Sequence, residues 1–243
     1  MNKSSNSNLP NPSSMHIGDR RGPPRSWRLR GMRGALRPAM IAATLWLLAG
    51  CSILAPIDPK DAVSRYSLDP RVQPDPAWPQ AGWQLSMADP ETTPAVDSLR
   101  ILVRTQPNEI QVYQGARWAK LPSSMVLDGI LRALEDSGRI QAVARQGSGI
   151  GADYKLVMDM RRFQSEYADG AAAPTAVIEV SAKLLHLRDQ QVVASRTFLQ
   201  SVPASAPAVV DVVAAFEQAL AANSRDIAGW ILVSGNAHER EAH

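Results

Sequence analysis

Leu48-Ala49-Gly50-Cys51 closes an apolar run and holds the only cysteine of this 243-residue chain. Ahead of it lie a basic segment ending at Arg37 and an apolar stretch from Ala39 to Leu48, with small residues at the close. These are the three parts of a secretory signal, so residues 1–50 are read as a leader that is removed. What must fold is then 51–243, with its one thiol at the first position. No intrachain disulfide can brace it, even in an oxidising compartment, and its stability has to come from one core of ordinary domain size.

The four residues also resemble the lipobox of bacterial lipoproteins. Ala49 and Gly50 leave the backbone open to a peptidase, and only a thiol can take the diacylglycerol that precedes cleavage. Leu48, Ala49 and Gly50 are thus the expected signal-peptidase recognition residues. Cys51 is the expected lipidation site, carrying a diacylglycerol and an N-acyl chain such as palmitate. The rival reading, a transmembrane anchor, needs about 20 apolar residues and the run is shorter. Met32 or Met40 would serve as the start in place of Met1; from Met32 the leader keeps Arg33 and Arg37 as a compact basic region.

The chain carries a formal charge of +3, but the leader alone, with eight Lys or Arg against Asp19, carries +7 and leaves the remainder at −4. The sequence pI near 9.2 therefore belongs to the leader and gives no argument for a nucleic-acid partner. No second apolar run reaches membrane-spanning length, so the mature protein is expected to hang from a membrane by its lipid.

Residues 51–97 are crowded with proline from Pro56 to Pro94. Proline fixes φ and removes a donor, so this stretch is predicted to be an extended linker with short strands at Arg65 to Asp69 and Gly82 to Met87, reaching out from the anchor to the sheet edge. The globular domain is predicted over 98–235. Leu99 to Arg104 reads as a half-buried strand, with a short hairpin about Gln114-Gly115 after it. Pro122-Ser123-Ser124 opens a helix whose Leu127, Ile130, Leu131 and Leu134 share a face, and Gly138 caps it. Ile140 to Ala144 is a strand. Tyr154, Leu156, Met158 and Met160 alternate with Lys155, Val157 and Asp159, while Phe163 falls out of parity, which predicts a bulge at Arg161-Arg162.

Ala176 to Leu184 alternates over its whole length and should turn at Arg188-Asp189-Gln190 to return along Val192 to Gln200. Val209, Val213, Phe216, Leu220, Ile227, Trp230 and Ile231 form one stripe of a long helix predicted to end before Gly235, with a polar frayed tail over 236–243. The expected class is α+β: a mixed but largely antiparallel sheet packed against two main helices.

The residues offer little chemistry. His16, His186, His238 and His243 include no pair with metal-ligand spacing, and a second cysteine is lacking, so neither a metal nor a catalytic residue is assigned. No serine stands in a nucleophile-elbow context to serve His186. Gly147 to Gly151 has the wrong spacing for a phosphate loop and precedes a strand. Asp159 and Glu179 are read as surface carboxylates, since nothing argues for a glycosidase pair. Met158 and Met160 are read as core filler. Tyr113, Arg117 and Trp118 are harder to place. A tryptophan on a short polar hairpin either packs beneath a helix or anchors a partner, and these three are the candidate partner interface.

The order of these features resembles that of the ABC-type transport auxiliary lipoproteins, the PqiC-like family. The likeness runs through Arg65-Tyr66-Ser67-Leu68, the strand Leu99 to Arg104 and Tyr113-Gln114-Gly115-Ala116-Arg117-Trp118-Ala119 leading to Pro122. It continues through the helix with Leu131 and Leu134, Ala152 to Leu156 with Phe163, and the last helix with Ala219 and Trp230. The resemblance implies a mixed sheet backed by helices and a non-enzymatic lipoprotein without cofactors. Such a protein works with a periplasmic MCE-domain protein and an inner-membrane transporter to move lipids or other hydrophobic molecules between membranes. Ser52, where aspartate would favour the inner membrane, implies the periplasmic face of the outer membrane. The rival readings are an assembly or pilot factor for another envelope complex such as a secretin, and a lipid-anchored hydrolase. The amphipathic last helix is also compatible with a homo-oligomer.

Overall fold

The computed structural model describes residues 63–242. The leader, Leu48, Ala49, Gly50 and the lipidation site Cys51 lie outside them.

The long strand β6 (Tyr154–Glu166) organises the sheet. Along one edge it pairs antiparallel with β7 (Thr175–His186), which pairs antiparallel with β8 (Gln191–Pro203). Its other edge is shared by two parallel strands in series. β2 (Ala81–Met87) occupies the start, with Leu85 beside Tyr154, and β3 (Arg100–Gln106) occupies the end, with Val103 beside Ser165. A bridge from Glu91 to Asp159 spans the gap. Outside β2 lies β5 (Ile140–Arg145), parallel to it. Outside β3 lies antiparallel β4 (Glu109–Trp118), and β1 (Ser64–Tyr66) pairs with β4 in parallel. The result is one mixed eight-stranded sheet. The longest ladders are antiparallel, and with two helices the α+β class holds.

Alternation explains which face each strand buries. Tyr154, Leu156, Met158 and Met160 are buried while Asp159 and Arg161 are exposed. The register shifts between Met160 and Arg162, as the parity break predicts, and so Phe163 returns to the buried face opposite Ile178. On the outer face Arg162 and Glu179 then meet at 2.6 Å. That ion pair satisfies the carboxylate that sequence placed on the surface.

Helix α1 (Pro122–Ser137) starts with proline at its first turn, where the missing N–H costs nothing, and stops at Gly138 in the left-handed conformation. Its N-cap residue Leu121 has no capping side chain. Asp97, from the loop before β3, supplies the acceptors instead, one for the Ser123 N–H at 3.0 Å and one for the Ser123 hydroxyl at 2.9 Å. Met125, Val126, Leu127, Ile130 and Leu134 are buried in the same core as Val212, Phe216, Leu220, Ile227 and Ile231 of helix α2 (Val209–Ala242).

Three sequence expectations change. The tight turn of the β3–β4 hairpin falls at Pro107-Asn108, with Asn108 at φ 68, and Gln114-Gly115 is a bulge inside one continuous β4, with Gly115 at φ 67. The proline-rich segment is no tether from residue 63 onward. Trp78, Trp83, Leu85 and Met87 are buried, and β2 lies between β5 and β6 inside the sheet. Proline density signals the loops around β2 but not the strand they flank. Finally, α2 runs through Gly235 to Ala242, so residues 236–242 are helix.

Candidate functional site

Two surfaces gather polar residues that the core does not use. The first is the β1–β4–β3 end of the sheet. β4 alternates so that Ala116 and Trp118 are buried and Arg117 points to the opposite face. The register sets Arg65 of β1 beside Arg117, and Arg117 beside Arg100 of β3. Paired residues on adjacent strands share a face, so three guanidinium groups stand in one row. Like charges directly opposite destabilise a ladder. Among the described residues none of the three makes an ion pair or a side-chain hydrogen bond. Arg100 and Arg117 border a recess of about 320 Å³ that Val63, Tyr113 and Gln114 also line.

Tyr113 and Trp118 separate from Arg117 here. Tyr113 is half-buried, with its hydroxyl 3.1 Å from the Ser165 hydroxyl. Burial raises its phenol above the ordinary value, and the Ser165 bond partly opposes this. Trp118 is 2% exposed and packs edge-on against Phe163 at 5.8 Å and Phe216 at 5.3 Å. Phe163 and Phe216 stack at 5.1 Å. As a member of the candidate partner interface, Trp118 is therefore corrected: its ring is the centre of an aromatic cluster between β4, β6 and α2, with no face left for a partner. Of the three residues, Arg117 alone is exposed.

The second surface lies where β6 begins and β7 ends. Tyr154 and His186 are opposite each other in the ladder, and the last turns of α2 bring His238 and Glu239 against them. The Tyr154 hydroxyl donates to Oε1 of Glu239 at 2.6 Å and lies 2.7 Å from Nδ1 of His238. Nδ1 of His186 lies 3.0 Å from Oδ1 of Asp189, in the β7–β8 turn. Burial first, then the hydrogen bond and charge of Glu239, push the Tyr154 phenol far above its ordinary range. Desolvation raises the Asp189 carboxyl, but bonds from the Gln191 N–H and His186 outweigh it and hold the group below its usual value. Trp83, Asp153 and Arg188 join His186, His238 and Glu239 around a recess of about 420 Å³.

The sequence does not show this cluster because Gly235 reads as a helix end. Continued through Gly235, the stripe of Ile231 arrives at His238 one heptad later, which was the available signal. Among the described residues no serine hydroxyl hydrogen-bonds either histidine, so no nucleophile–base pair is assembled. No described helix is long and apolar enough to cross a membrane.

Comparison with known proteins bears on what these surfaces serve. A comparison with curated proteins gives no match. The crystal structure of protein XCC0632 from Xanthomonas campestris is similar at 49% identity, over 73% of this chain and 99% of that one, with a TM-score of 0.70. A crystal structure of an uncharacterized protein, at 18% identity over 69% of this chain and 97% of that one, has a TM-score of 0.53, a likeness of fold alone. The model of the ABC-type transport auxiliary lipoprotein component family matches residues 66–228, from β1 through most of α2. The chain belongs to the family of ABC-type transport auxiliary lipoprotein components.

Proposed function

We propose that this protein is a non-catalytic adaptor held by lipid on Cys51 at the periplasmic face of the outer membrane. There it joins a periplasmic MCE-domain protein to an inner-membrane ABC transporter that moves lipids or other hydrophobic molecules. The observation that carries the reading is the family match from residue 66, placed directly downstream of a lipobox cysteine. The mature fold needs no cofactor in this role, and the lipid on Cys51 is an anchor.

The early start of β1 changes what the tether does. Only residues 52–62 separate Cys51 from the described fold, and at about 3.5 Å per residue they reach on the order of 40 Å when fully extended. The domain is therefore kept near its membrane, with the β1 edge leading. The arginine row beside that edge suits an acidic surface of the periplasmic partner, which would supply the charge the row lacks. Arg117 remains the interface candidate, with Arg65 and Arg100 in place of Trp118, and Tyr113 as its half-buried support.

Fractionation of envelopes tests the anchor. The wild-type chain is expected in the outer-membrane fraction and the Cys51→Ser chain, equally folded, in neither that fraction nor an active transport complex. Full transport activity from the Cys51→Ser chain would overturn the reading.

A further inference from the structure

The hydrogen bonds around the second surface assign both of its imidazoles. A carboxylate only accepts, so the Tyr154 proton goes to Glu239 and the phenol oxygen accepts from the Nδ1–H of His238. By the same logic His186 donates its Nδ1–H to Oδ1 of Asp189. In each neutral ring Nε2 is left as a lone pair. The two rings lie 4.8 Å apart, tilted by 56°, and the ligating atoms of His186, Asp189 and His238 all fall within 4.8 Å of one another. Oδ1 of Asp189 also accepts from the Gln191 N–H, at 3.2 Å, while Oδ2 has no hydrogen bond among the described residues.

We propose that His186, His238 and Asp189 form a binding site for a divalent first-row transition-metal ion of the Zn²⁺ or Cu²⁺ type. The donor set is two imidazole nitrogens and one carboxylate, which suits such ions, and a water completes the shell. His238 already has the outer partner that metal-bound histidines use, a carboxylate relayed through a phenol, while at His186 the metal takes the place of the proton between Nδ1 and Asp189, and that proton passes to Nε2. Asp153 and Glu239 add negative charge around the recess, against the single cation Arg188. Metal–ligand bonds of about 2.1 Å bring tetrahedral donors to roughly 3.4 Å from each other. The site therefore closes slightly on binding, and exposed Asp189 on its turn is the member free to move. Residues far apart in sequence supply the donors, which is why local spacing carries no trace of the site. Bound metal would clasp the last turns of α2 to the β7–β8 turn. The proposal does not rest on the adaptor role.

The test uses the full-length chain carrying His16→Ala, Cys51→Ser and His243→Ala, all outside the described fold, so that His186 and His238 are its only histidines. After chelator treatment, Zn²⁺ titrated calorimetrically is expected to bind once per chain and to raise Tm by linkage. Cu²⁺-loaded protein is expected to give an electron paramagnetic resonance spectrum with two imidazole nitrogens. Tyr154→Phe, which removes only the relay to Glu239, should weaken Zn²⁺ binding roughly tenfold, and His186→Ala or His238→Ala should abolish the one-per-chain binding. Absence of saturable Zn²⁺ binding, or a spectrum without two nitrogens, overturns the proposal. The spectrum decides the matter even if a histidine variant folds poorly.

Discussion

Gly235 lies in the interior of α2 directly against the indole of Trp83, where a Cβ would stand 2.8 Å from Cε2 and 2.9 Å from Cη2 of the ring. One turn and a half earlier, Gly229 meets Trp78 in the same way, a Cβ there falling 2.6 Å from Nε1. Two glycines that would weaken an isolated helix are present because two tryptophans of the proline-rich segment seat on them. The indole N–H of Trp83 also donates to Asn236 at 2.8 Å, and Asn236 donates to the Gln80 carbonyl at 2.8 Å. The segment before the body is thereby locked to the last helix.

Gly235→Ala is expected to destabilise the protein by about 1–3 kcal/mol through overpacking, although alanine is the better helix former. Gly82→Ala, with nothing within 4 Å of the added methyl, is the control and should change stability little. Chemical denaturation of both variants measures the difference, and an unchanged or raised stability for Gly235→Ala would refute the close approach.

Trp118→Ala should cost about 3–5 kcal/mol, the range for emptying a buried aromatic site. Arg117→Glu, on the opposite face of the same strand, should stay within about 0.5 kcal/mol of wild type. Thermal unfolding separates the two, and a stable Trp118→Ala chain would put the indole outside the core.

Gly115 holds φ at +67° with open space around the position of a Cβ. Gly115→Ala therefore meets no clash, and its cost is conformational strain alone, about 1–2 kcal/mol. The strain falls on the bulge that sets Arg117 beside Arg65 and Arg100. The variant is expected to lower Tm modestly and partner binding with it, read by denaturation and by co-purification.

Asp75 ties the loop before β2 to α2. It accepts from the Ala77 N–H at 2.9 Å and from Arg225 at 3.0 Å. The Ala77 bond first, then Arg225, holds its carboxyl below the ordinary value, which is about 3.9. A carboxyl lowered on folding contributes stability above the unfolded value and loses it as pH falls through the folded one. Asp75→Asn should therefore destabilise near neutral pH and flatten the acid limb of the stability profile below about pH 4. A profile parallel to wild type at every pH would contradict the assignment.

Local patterns made much of the fold readable. Alternation located β6 and β7, and the lost parity at Phe163 placed the bulge to the residue pair. Pro122 and Gly138 bounded α1. What sequence missed depends on contacts between distant segments. Gly235 reads as a stop unless Trp83 is known to lie against it, and Trp118 reads as either core or partner anchor until Phe163 and Phe216 enclose it. The arginine row is invisible along the chain because Arg65, Arg100 and Arg117 meet only through strand register. His186 and His238 meet only through the final turns of a helix that local punctuation cut short.

Membership of an envelope transport assembly is the property on which the proposed function turns. Its most direct test is affinity purification of the full-length lipoprotein from cross-linked, detergent-solubilised envelopes, with mass spectrometry of the bound proteins. An MCE-domain protein is expected together with its ABC transporter, with much lower recovery from an equally stable Arg117→Glu chain. Recovery of a secretin alone, or of no envelope partner, would contradict it.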